Sequence, residues 1–259
     1  MFTLQHHGRT FRFDATAPLD IALPLAPGPD QVNCFWAEPV GIDVIRVGSF
    51  VGSVAEGGST NYKRVHLTPH GNGTHTECYG HISPDPAATL PACLERFLFV
   101  AWLVSVEPRH RADGDLVVEL ADVQPLLQAA PVPPEALVLR TVPNDEAKRH
   151  RQYSGQNPPY ISAELAQYLV AQGIEHLLLD LPSVDRELDA GVLAAHHAFW
   201  QYPDHIRRGA TITELIFVPD AVPDGLYLLN LQVTMLALDA SPSRPVLYAL
   251  TEADSWAGH

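Results

Sequence analysis

Between residues 136 and 218 the chain keeps a rhythm that few folds can accommodate. ALVLRTV (136–142), HLLLDL (176–181) and ATITELIFV (210–218) are short, mostly apolar runs dominated by leucine, isoleucine and valine. Such continuous runs suit strands buried on both faces rather than strands with one wet face. Between the first two lies SAELAQYLVAQG (162–173), with a serine to cap its start and a glycine to stop it. Leu165, Tyr168, Leu169 and Ile174 fall on one face, so the spacing predicts a helix. LDAGVLAAHHAFW (188–200) also reads as helical. Strand, helix, strand, helix, strand is the pattern of a parallel sheet with crossover helices.

The flanking regions are denser in strands. Residues 2–14 read as a hairpin, and 18–29, 42–51, 63–69, 94–107, 225–238 and 244–250 as strands. LVVELADVQPLLQAA (116–130) gives a strand end and a short helix, with Asp122 a candidate N-cap. The expectation is one α/β domain over residues 1–259, without linker or repeat. The polar segment 144–159, which carries Asn144, Asp145, Tyr153 and Asn157, is long for a connector; loops of this kind are functional lids or disordered.

Composition narrows the partners. The net charge is -14, a poor match for nucleic acid or an anionic membrane surface. The cysteines, Cys34, Cys78 and Cys93, are too few and odd in number for a disulfide framework. The N-terminus lacks the apolar core of a secretion signal, and no run of 18 apolar residues occurs. These features predict a soluble cytoplasmic protein.

The chemistry concentrates in HGNGTHTECYGHI, residues 70–82. In an extended chain alternate side chains share a side, so His75 and Glu77 point together. His81 has the same parity if the segment stays extended. Gly71, Gly73 and Gly80 permit tight turns and close backbone approach. Imidazole nitrogen and carboxylate oxygen suit Zn²⁺ and Mn²⁺. A closed site needs at least one further ligand from elsewhere. His196 and His197 sit on an apolar helix, and Glu214 sits in an apolar strand with Ile212 and Ile216 on its face. A carboxylate there requires a partner. Cys78, of opposite parity, reads as a buried bystander ahead of a nucleophile or ligand.

GTHTECYGH resembles the H-x-G-T-H-x-D-x-P-x-H signature of the metal-dependent cyclase/kynurenine formamidase family. LDIALPL, LRTVPND, LLLDLPSVD and the pair AAHHAFW … ITELIFV resemble further segments of that family in the same order. The resemblance implies a swivelling β/α/β domain with a mostly parallel or mixed sheet, assembled as a homodimer or homotetramer. It implies hydrolysis of an amide C–N bond by metal-activated water at one or two Zn²⁺ or Mn²⁺ ions. Carried over by position, His75, Glu77, His81, His196 and Glu214 are the metal ligands, with Glu77 bridging two ions. His70 or His197 is expected to supply a proton to the leaving nitrogen. Ser183 and Asp185 either wall the substrate pocket or cap a helix. Three departures stand out: Glu77 replaces Asp, Tyr79 replaces Pro, and His70 lies one residue further from His75 than the leading histidine does. A bulge at Gly71–Asn72 would restore His70 to the site. A lactone or ring-opening hydrolase, and a metal-dependent binding protein without turnover, are the alternatives.

Overall fold

The computed structural model describes residues 1–253. Nine strands form one mixed sheet: β1 Leu19–Asp20, β2 His75–Glu77, β3 Leu98–Val106, β4 Ala136–Thr141, β5 His176–Leu179, β6 Thr211–Glu214, β7 Gly225–Asn230, β8 Ala240–Pro242 and β9 Val246–Ala249. Their spatial order is β8-β2-β6-β5-β4-β3-β7-β9-β1. The central block β3-β4-β5-β6 is parallel. Every other pair is antiparallel. Helix α1 (Leu120–Gln128) connects β3 to β4, α2 (Ala163–Ala171) connects β4 to β5, and α3 (Ala194–Trp200) connects β5 to β6. The α/β fold with a mixed sheet is therefore the observed one.

The sequence explains the central block directly. Every residue of β4, β5 and β6 is buried, as their unbroken apolar runs require. Leu137, Leu139, Leu177, Leu179 and Ile212 join a core that Leu165, Leu169, Phe199 and Trp200 complete from the helices. Ser162 caps α2 by accepting the Leu165 N–H at 3.2 Å, and Gly173 ends that helix at φ 80°, where a side chain would be strained.

The local readings fail where side chains compete with the backbone ladder. The 18–29 run forms a strand only at Leu19–Asp20. Its repeated prolines lack the N–H a ladder needs. The 42–51 run breaks into Gly41–Val44, paired with Lys63–His66, and a separate Arg46–Val47/Phe50–Val51 ribbon. Helix α3 starts at Ala194, not near Leu188. Asp189 accepts the Gly191 N–H at 2.8 Å and the Leu193 N–H at 2.6 Å, which offers the backbone a turn in place of a helix. Asp122 is not the N-cap of α1. Glu119 holds that place and the two form a capping box.

The 144–159 segment is anchored at the carboxyl ends of β4 and β5. Lys148 is buried, and its ammonium donates to Asp180 Oδ2 at 2.7 Å, to the Thr141 carbonyl at 2.7 Å and to Thr141 Oγ1 at 2.9 Å. Asp145, Tyr153 and Asn157 help wall a cavity of about 420 Å³ there, while Asn144 donates to the Val218 carbonyl at 2.8 Å. Of the residues described, none of the 70–81 histidines lines that cavity. Burial raises the Asp180 pKa and Lys148 opposes the rise. Lys148→Met leaves Asp180 buried without its counter-charge, and chemical denaturation at pH 7 should show a loss of roughly 3–5 kcal/mol. The double variant K148M/D180N should recover part of it. An unchanged midpoint for Lys148→Met would contradict the pairing.

Candidate metal centre

Strand β2 lies between β6 and β8, and that register builds the site. His75 stands opposite Glu214 and Pro242, and Glu77 opposite Ile212 and Ala240. Opposed residues of an antiparallel pair share a face, so His75, Glu77 and Glu214 converge. On the other face Thr76 and Thr213 bond through their hydroxyls at 2.8 Å. Two regions far apart in sequence thus meet because they are neighbouring strands.

Each histidine reaches the cluster differently. His75 donates Nδ1–H to the Gly73 carbonyl at 2.9 Å, which leaves Nε2 with its lone pair 3.3 Å from Glu214 Oε2. His196 is held from behind: its Nδ1 lies 2.6 Å from Asp185 Oδ2, and its Nε2 lies 3.1 Å from Glu77 Oε1. The Trp200 ring packs on it with centroids 5.3 Å apart. His81 does not arrive by strand parity. The extended segment stops at Glu77, and Tyr79–Ile82 is a 3-10 turn. A Cβ at Gly80 would stand 1.9 Å from the Ala88 carbonyl oxygen, so only glycine permits that turn. It brings His81 Nδ1 to 3.8 Å from Glu77 Oε2.

His70 sits on the one-turn helix Pro69–Asn72, which takes up the extra residue before His75. The turn is pressed against the chain at Gly71, where a Cβ would lie 2.3 Å from Ala37 Cβ. His70 Nδ1 then lies 3.1 Å from Glu77 Oε2 and its Nε2 2.8 Å from Asp239 Oδ2. Two groups that could hold an ion share one carboxylate: His70, His75 and Glu77 form the first, and Glu77, His81 and His196 the second. A third group joins His70, His81 and Asp239.

The electrostatics of the cluster would suit a cation. His75 Nε2 and Glu77 Oε2 are buried without a hydrogen-bond partner. Such an atom is costly to bury and fits a cation. Burial pushes the Glu77 pKa up, but His81, His196 and His70 outweigh it and hold the carboxyl well below its usual range. Asp239 is likewise depressed by hydrogen bonds from His70 and His81. His75, Glu77, His196 and Glu214 are buried, whereas the side chains of His70, His81 and Asp239 are 25%, 29% and 32% exposed. Solvent reaches the cluster from that side.

The remaining candidates lie around this centre. Asp185 accepts the Ala195 and His196 N–H groups at 2.7 and 3.1 Å as well as the His196 ring. It both caps α3 and orients a histidine. Ser183 Oγ accepts the Asp185 N–H at 3.1 Å, a turn contact one step further out. The structure does not bring His197 to the cluster. Neighbouring helical residues diverge by about 100°, and the His197 Nδ1–H points to the Tyr202 carbonyl at 3.2 Å. Cys78 is buried with its thiol toward the Ala88 carbonyl at 3.6 Å. Asp239 has no counterpart in the sequence reading. Its only signal is a carboxylate just before a late strand.

Known proteins resemble this chain in sequence and in fold. Kynurenine formamidase of Bacillus cytotoxicus is 28% identical over 196 residues, covering 75% of this chain and 83% of that protein. Among solved structures, isatin hydrolase A from Labrenzia aggregata superposes with a TM-score of 0.64 at 13% identity, over 90% of this chain and 93% of that one. A protein described as a predicted metal-dependent hydrolase from Bacillus stearothermophilus superposes with a TM-score of 0.62 at 18% identity, over 90% and 98%. The Cyclase family model matches residues 13–186, which span β1 to β5 and the whole HGNGTHTECYGHI segment. The chain belongs to the Cyclase family.

Proposed function

We propose that the chain is a metal-dependent hydrolase that cleaves a non-peptide amide C–N bond of a small molecule, as an arylformamidase does. The observation that carries this reading is the pair of buried, unpartnered donor atoms, His75 Nε2 and Glu77 Oε2, within the histidine–carboxylate cluster. The relatives' names support the bond type. Nitrogen and oxygen donors in this mixture suit Zn²⁺ or Mn²⁺. His70, His75 and Glu77 would hold one ion, with Glu214 beside His75, and Glu77, His81 and His196 would hold a second, with Glu77 common to both. An ion held there supplies Lewis acidity and makes water nucleophilic at neutral pH.

The chain's own residues do the rest. The Gly73 carbonyl and Asp185 fix which ring nitrogen of His75 and His196 faces inward. Burial of Glu77, Glu214 and His196 keeps water off the inner side. Substrate would meet the centre from the half-exposed side of His70, His81 and Asp239. A homodimeric or homotetrameric assembly and a cytoplasmic location belong to the same proposal. All three cysteines are free and buried, in keeping with a reducing compartment.

The test is metal analysis after gentle purification, followed by hydrolysis assays on N-formyl aryl amines, cyclic imides and lactones. The expected result is bound zinc or manganese, with turnover of the formyl amines that chelation abolishes and metal restores. Chelated protein should keep its circular dichroism. Bound metal with no turnover across the panel would favour a binding protein. Unfolding on chelation would make the ion structural.

A further inference from the structure

The way the inward-facing histidines are held points to a role for Asp239. His75 has its far nitrogen on the Gly73 carbonyl at 2.9 Å, and His196 has its far nitrogen on Asp185 at 2.6 Å. His70 shows the same arrangement. Its Nδ1 lies 3.1 Å from the unpartnered Glu77 Oε2, and its Nε2 lies 2.8 Å from Asp239 Oδ2. The same oxygen lies 3.3 Å from His81 Nδ1, and the two rings are 4.3 Å apart. Backbone geometry fixes where this carboxylate stands. The Asp239 carbonyl accepts the Cys78 N–H at 3.0 Å, which extends the β2–β8 ladder by one step and sets Asp239 beside the turn that carries His81.

We propose that Asp239 is a positioning residue of the metal centre: it accepts the Nε2–H of His70 and fixes Nδ1 as the lone-pair donor facing Glu77. The inference rests on the metal-centre reading above. A carboxylate on the outer nitrogen selects the tautomer, fixes the ring plane and makes the inner nitrogen more basic. Without it the half-exposed His70 ring can turn and present either nitrogen. His75 and His196 would then remain held while the third histidine is free.

The test uses the full chain loaded with zinc at one fixed pH of about 7, because metal affinity depends on pH. Calorimetry gives affinity and stoichiometry for wild type, Asp239→Asn and Asp239→Ala. ¹⁵N-resolved NMR follows the slowly exchanging Nε2–H of His70. The expected result is a loss of roughly 10–100-fold in zinc affinity for Asp239→Ala at unchanged stoichiometry, with disappearance of that proton signal. Asp239→Asn, whose amide oxygen still accepts the bond, should regain most of the affinity and the signal. If Asp239→Ala does not fold, Asp239→Ser, with the acceptor withdrawn, serves in its place. Unchanged affinity in Asp239→Ala overturns the inference. Loss of a whole equivalent of zinc in Asp239→Asn also overturns it, by making Asp239 a ligand. Wild type that binds no zinc defeats the metal-centre reading instead.

Discussion

Glu77→Gln is expected to remove divalent-ion binding and hydrolysis together while the chain stays folded. Glu77 is the one carboxylate common to both inner ligand groups. Its Oε1 faces His196 Nε2 at 3.1 Å, and its Oε2 faces His70 Nδ1 at 3.1 Å and His81 Nδ1 at 3.8 Å. Glutamine keeps the size and one carbonyl oxygen but removes the charge and turns the other oxygen into a donor. The loss should exceed the roughly 10–100-fold typical of changes outside the ligand set. The fold should tolerate the change, because β2 is held by backbone pairing to β6 and β8 and by the Thr76–Thr213 contact. His75→Ala is expected to lose the ion in the same way. Metal analysis with circular dichroism on the same samples checks both, and full occupancy in either variant would contradict the assignment.

Ion binding should also release protons, and its affinity should rise steeply with pH. Burial disfavours a charged His70, but the Asp239 and Glu77 carboxylates beside it outweigh burial and push its pKa up to about 10. Burial likewise opposes charge on His196, and its bonds to Asp185 and Glu77 raise it to about 10. In the metal-free chain the raised pKa values favour the doubly protonated, charged form of both imidazoles at neutral pH. A ligand histidine must give that proton up, so loading zinc should displace about two protons, and affinity should climb by about 100-fold per pH unit below pH 10. Titration calorimetry in buffers of different ionisation enthalpy counts the protons, and a count of zero would contradict the pairing. The same shifts fix the sign for the metal-free fold. A histidine whose pKa is higher folded than its ordinary 6.5 stabilises fully below 6.5, and that contribution disappears as pH rises through about 10. Chelated protein should therefore lose thermal stability across that window.

The parts of this molecule that were legible in the sequence are those where one physical pattern acts alone. The β4-α2-β5 unit follows from buried apolar runs and a Ser162–Gly173 bounded helix, and it forms as read. Glu214 in an apolar strand implied an enclosed partner, and the β6–β2 register supplies His75. What was not legible depends on tertiary contact. His81 reaches Glu77 through a 3-10 turn that Gly80 permits, not through strand parity. His197 is adjacent to His196 in sequence, but helical geometry sends it to the Tyr202 carbonyl. Asp239 enters because β8 pairs with β2, a non-local pairing with no spacing signature. The 144–159 segment walls a cavity and is tied to Asp180 through Lys148, a buried contact that has no spacing signature.

The central claim is that side chains from β2, the turn after it, α3 and β6 enclose a common divalent ion. Anomalous diffraction at the zinc and manganese edges from metal-loaded crystals tests it most directly. The expected result is an anomalous peak about 2.0–2.2 Å from a Glu77 carboxylate oxygen, with nitrogens of His75, His81 or His196 at similar range. A peak only at surface carboxylates, or a crystal of active enzyme with none at Glu77, would contradict it.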